Sequence, residues 1–103
     1  MRMLLYKLKS KSIKLFIPAV EDLNNQLRGS HGFISGIILS SVSEPNELLY
    51  LNMWMDAESA MTASKKAESH FRSISLDHEL LQEEQLKVEL SITSEGDFKP
   101  VVN

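Results

Sequence analysis

Apolar residues recur along this chain in two periods, and the switches between them mark out the elements. MLLYKL alternates and predicts a first strand. SIKLFIPAVEDLNNQLRGS carries Phe16, Val20, Leu23 and Leu27 at helical spacing, and Arg28 with Gly29 forms a stop signal. Pro18 fits best in a helix's first turn, so this helix either starts near Phe16 or starts at Ser12 and kinks. GFISGIILSSV, rich in Ile behind a glycine turn, predicts a second strand, and SEPNE reads as a turn. LLYLNMWM is the third strand, pairing back on the second as an antiparallel hairpin. Asp56 stands where an N-cap belongs, ahead of AESAMTASKKAESHFRSI. There Ala60, Ser64, Ala67, Phe71 and Ile74 make a narrow inward stripe. SLDHELLQEE is read as a short additional helix, and LKVELSIT as the fourth strand, with Leu86, Val88, Leu90 and Ile92 on one side.

The resulting order, β-α-β-β-α-β, is that of an α+β, ferredoxin-like domain: a four-stranded antiparallel sheet with both helices on one face. It spans residues 1–95 as a single domain, followed by an irregular tail over 96–103. That architecture leaves one sheet face bare. In ELLYLNMWMD, however, both faces are apolar: Leu49, Leu51, Met53 and Met55 on one side, Leu48, Tyr50 and Trp54 around Asn52 on the other. A bare face of that kind exceeds the patch that monomers ordinarily expose. The simplest cover is the same face of a second copy, giving a homodimer and a dimeric α+β barrel. Two other covers remain open: the tail folding back over the sheet, or a central strand that is only half-covered.

Composition narrows the rest. The chain has 103 residues, enough for one ordinary domain, and 43% hydrophobic with 24% charged residues is a globular balance. A net charge of −3, with the basic run YKLKSKSIK countered by VED and QEEQLKVE, provides no footprint for nucleic acid or an anionic membrane. Cysteine is absent, which removes disulfide and thiolate chemistry. No leader segment and no apolar run of spanning length is visible, so a cytoplasmic protein is expected. Neither a phosphate loop nor a dinucleotide fingerprint occurs, and no histidines or carboxylates are spaced as metal ligands on one helical face.

The chain resembles the antibiotic biosynthesis monooxygenase domain. Gly32-Phe33 opens the second strand, Tyr50 lies four residues before Trp54 on the third, DAES begins the second helix, and Ser69-His70 comes late in it. The resemblance runs from Met3 to about Ile92 and implies a dimeric ferredoxin-like fold with a cavity between sheet and helices in each subunit. The family includes cofactor-independent oxygenases of polycyclic aromatic compounds, haem-degrading enzymes, enzymes acting on quinones, and members without known activity. A haem-degrading member would need a tryptophan and an axial histidine on the second helix and an asparagine on the first strand. Here Ala63 stands at the tryptophan position, His70 and His78 are out of register, and RMLLYKL has no asparagine. Haem degradation is therefore disfavoured.

The expectation is a monooxygenase-type oxidoreductase without cofactor, acting on a small aromatic or quinone-like molecule. Trp54, Tyr50 and Phe71 would wall the substrate; Asn52 would orient it. His70, at the margin of the helix's inward stripe, would be the acid–base group, since imidazole ordinarily titrates near neutral pH. The substrate anion would itself react with O2, so the protein need only deprotonate, orient and exclude water. Each residue has a plainer reading: Trp54 as core with a bonded indole N–H, Asn52 as locally bonded, His70 as a surface or structural histidine. The rival from another class is a non-catalytic, small-molecule-binding or regulatory dimer of the same fold.

Overall fold

The computed structural model describes residues 1–99. Strand β1 (Arg2–Lys9) leads into helix α1 (Ile13–Leu27), then the hairpin β2 (Phe33–Ser40) and β3 (Glu47–Trp54), helix α2 (Ala57–Ser73) and strand β4 (Glu79–Lys87). The sheet order is β2-β3-β1-β4 and each pairing is antiparallel, which is the ferredoxin-like arrangement expected. A short hairpin, β5 (Ser91–Thr93) with β6 (Gly96–Phe98), follows as a separate two-stranded sheet.

Helix α1 starts from Ser12 and carries Pro18 inside it, so the earlier of the two expected starts is the observed one. It buries Phe16, Val20, Leu23 and Leu27, the stripe its spacing predicts. Helix α2 is capped by Asp56, whose carboxylate accepts the Ser59 N–H at 2.8 Å. Its buried face is Ser59, Ala60, Ala63, Ala67 and Phe71. Small residues there let α2 approach the sheet closely, and Ser64 falls at the margin of that face, half-buried.

The inner sheet face supplies Leu4, Tyr6 and Leu8 from β1 and Leu48, Tyr50 and Trp54 from β3, all buried. Each buried large apolar side chain is worth about 1.5–3 kcal/mol of transfer free energy. On the other face lie Met3 and Leu5 of β1, Leu49, Leu51 and Met53 of β3, and Ile37 and Leu39 of β2, register-paired into one patch. Nothing in the chain's described residues buries it: Ile37 is 51% exposed and Leu39 40%.

The last third of the chain departs from the sequence reading. The stretch expected as a short helix, SLDHELLQEE, is instead a loop and the first part of β4, and the strand expected over LKVELSIT is split between the end of β4 and β5. Leu, Glu and Gln favour helix locally, but pairing with β1 supplies this backbone with ladder hydrogen bonds, and tertiary context overrides a weak propensity. A register shift between Lys7 and Leu8 admits an extra residue in β4, so simple alternation fails there. The tail expected to be irregular from residue 96 begins in the β5–β6 hairpin; residues 100–103 lie outside the described ones.

Candidate active site

On the inner face of β3, Tyr50, Asn52 and Trp54 follow one another at strand period and are all shut off from solvent. The Trp54 indole N–H donates to Asn52 Oδ1, and its ring meets Phe33 edge-on with centroids 5.4 Å apart. The Tyr50 hydroxyl donates to Asn24 Oδ1 of α1 at 2.8 Å. Asn52 Nδ2 is buried with no partner among the described residues. Burial pushes the Tyr50 phenol up to about 12, so it stays a neutral donor at physiological pH.

His70 sits apart from these three. It is half-buried, and its Nε2 lies 2.9 Å from the Ala19 carbonyl oxygen of α1. A carbonyl can only accept, so Nε2 carries the proton and the imidazole ties α2 to α1. The neighbouring Phe71 points the other way, into the sheet side of α2, with its ring 5.3 Å from that of Tyr6. Tyr6 in turn stacks on Tyr50 at 6.1 Å. The structure thus joins Phe71 to the β3 set through Tyr6 and sets His70 against the other helix.

Helix α1 packs over β2 and β3, and α2 over β1 and β3. That leaves β4 exposed along its whole length. Beside α2, over β1 and β4, lies a cleft of about 370 Å³ lined by Tyr6, Glu68, Phe71, Arg72, His78, Leu80 and Glu83. Its size is in the range of small-molecule sites. Its floor is aromatic and aliphatic, and its ionisable groups come from both sides. At the rim Arg72 is paired with Glu68. His78 packs on Phe16 at 4.9 Å, and its Nδ1 lies 2.7 Å from the Leu76 carbonyl oxygen. The same donor argument puts the proton on Nδ1, leaving the Nε2 lone pair as an acceptor in the neutral ring. A larger space of about 510 Å³ at the start of α2 is bordered by Ser30, His31, Asp56 and Lys66, and has no aromatic wall.

Of the cleft's residues, sequence reasoning singled out Phe71. Glu83 and the stronger claim of His78 were missed because β4 was read one element too late, and Tyr6 of β1 was missed as well. The signal available was Tyr6 itself, a polar-tipped ring between Leu4 and Leu8 at inward parity. Among the described residues no three His, Asp or Glu side chains converge as metal ligands, and no helix is long and apolar enough to cross a membrane.

No protein-family model matches the chain, and no curated protein matches it by sequence. Solved structures do resemble it. A protein from Deinococcus radiodurans, proposed to be an antibiotic biosynthesis monooxygenase, superposes with a TM-score of 0.71 at 12% identity, over 90% of this chain and 97% of that one. A conserved protein from Methanosarcina mazei does so with a TM-score of 0.69 at 18% identity, covering 84% of this chain and 90% of its own. A variant of SnoaB, a cofactor-independent oxygenase from Streptomyces nogalater, reaches 0.60 at 12% identity over 79% and 90% of the two chains. The chain is thus antibiotic biosynthesis monooxygenase-like in its fold.

Proposed function

We propose that this protein is a cofactor-independent monooxygenase that oxidises a small aromatic or quinone-like molecule in the cleft between α2 and β4. The observation that carries the proposal is the cleft itself, walled by Tyr6 and Phe71 and edged by His78 and Glu83, in a fold shared with a named cofactor-independent oxygenase. Fold alone does not assign chemistry, so the weight rests on those side chains.

In this reading Phe71 and Tyr6 hold the substrate ring, and the buried Tyr50, Asn52 and Trp54 form a rigid backing that keeps Tyr6 in place. His78 Nε2 takes the proton from an activated C–H or phenol, which leaves an anion able to give electrons to O2. For an activated CH2, one oxygen atom ends in the new C=O and the other leaves as water with the two hydrogens, so no external reductant is needed. His70 is a positioning residue, setting α2 through the Ala19 carbonyl. A second copy covers the apolar face of Ile37, Leu39, Leu49 and Leu51, and the active species is a homodimer.

Oxygen uptake with anthrone, which carries the activated CH2, above the rate in buffer and with no flavin or metal added, tests this. His78→Ala should reduce the rate by roughly 100-fold or more, the usual scale of general acid–base catalysis. His70→Ala should reduce it much less. Ligand binding with no oxygen consumed for any activated aromatic would instead favour a non-catalytic binding dimer.

A further inference from the structure

Tyr6 is 1% exposed, yet its hydroxyl has no hydrogen-bond partner among the described residues. Leaving a buried donor unpaired is costly, and phenylalanine would fill the same space without the penalty. The ring is held between Tyr50 and Phe71, and Tyr6 is one of the side chains that line the cleft. Directly across the β1–β4 ladder stands Glu83, which lines the same cleft. Unlike Glu68, Glu83 has no ion-pair partner among the described residues; its carboxylate accepts from Ser64 Oγ at 3.5 Å. Burial raises the Tyr6 phenol, the nearby Ser64 hydroxyl opposing and the Glu83 charge adding to the rise, and keeps it in its donor form.

We propose that Tyr6 and Glu83 are a donor–acceptor pair that reads a single hydroxyl group on a neutral aromatic ligand. The Tyr6 O–H donates to the ligand's oxygen, and the ligand's own O–H donates to the Glu83 carboxylate. The inference rests on the assignment of this cleft as the substrate site and adds the selection it makes. An aromatic carboxylate could accept from Tyr6 but would face the charge of Glu83. A bare hydrocarbon would leave the Tyr6 hydroxyl unpaired. Sites built to bond a ligand hydroxyl reject analogues that lack it, because a buried donor, here Tyr6, is then left unsatisfied.

Equilibrium binding of 2-naphthol and 2-naphthoate to the full chain under nitrogen tests the pairing. The expected result is at least about tenfold tighter binding of 2-naphthol, with Glu83→Gln narrowing the gap. Tyr6→Phe should weaken 2-naphthol by about tenfold while raising the Tm of the unliganded protein, since it deletes an unpaired buried group. A merely structural tyrosine would move the Tm the other way. Equal binding of the two probes, no binding of either, undiminished binding of 2-naphthol by Tyr6→Phe, or a lowered Tm in that variant would each overturn the proposal. Because no oxygen is present, a failure of oxygen uptake would remove the monooxygenase reading and leave this pairing intact.

Discussion

Gly36 and Asn24 compete for one space: a Cβ on residue 36 would lie 2.0 Å from Asn24 Oδ1, the atom that accepts the Tyr50 hydroxyl. Gly36 pairs with Asn52 in the β2–β3 ladder, so its missing side chain opens the inner face where α1 must reach β3. Gly36→Ala should displace the amide and strand a buried phenol, lowering stability by about 1–3 kcal/mol. Asn24→Ala should cost a similar amount, and the double variant less than the sum, because both break one bond. Urea unfolding of the four chains checks this.

The chain's two tyrosines, Tyr6 and Tyr50, are both buried, and burial raises both phenols, Tyr50 to about 12. Above about pH 10 the unfolded chain loses these protons while the folded chain keeps them. The unfolded state then binds fewer protons, so stability falls as pH rises through that window. Tyrosinate absorbance should therefore stay low until unfolding and then rise together with loss of the far-ultraviolet signal. Tyr50→Phe should flatten the alkaline slope. Tyrosinate forming well ahead of unfolding would contradict the buried placement.

Asp56 caps α2, and its bond from the Ser59 N–H holds its carboxyl below the ordinary value of 3.8. A depressed folded value means the cap stabilises above the ordinary carboxylate range and is lost as pH falls through the lower folded value. Asp56→Ala should lower the Tm at neutral pH. Asp56→Asn, which still caps, should keep much of the neutral-pH stability but lose the acid dependence of this site. Thermal melts at neutral and acidic pH separate the two.

Leu51 lies at the centre of the outer sheet face, with Leu5 and Ile37 as its register partners on either side. If a second copy covers this face, Leu51→Lys places a charge in the dry centre of the interface. Light scattering at micromolar concentration should then report 11.7 kDa where the parent chain reports twice that mass. A parent chain of 11.7 kDa would remove the dimer and its role in the proposed function.

The parts of the fold legible in the sequence are those governed by local period. Phe16, Val20, Leu23 and Leu27 form a stripe wherever α1 packs, and Asp56 caps because the following residues are helical. Trp54 and Asn52 were visible as inner-face neighbours two residues apart, but the direct bond between them was one of two open readings. For His70 the spacing placed the residue at the edge of a stripe. Whether that edge faced the sheet or α1 depended on how the two helices cross, which no local pattern encodes.

Element order as far as α2, the two apolar faces of β3 and the Asp56 cap were determined by the sequence alone, since each depends on residues within a few positions of one another. Only the tertiary structure decided that Glu79–Lys87 is a strand, because its hydrogen bonds come from β1, seventy or more residues away in the chain. It also decided the cleft. Tyr6, Phe71, His78 and Glu83 belong to a strand, a helix, a loop and the last sheet strand, and they meet because the helices cover three strands and leave the fourth open.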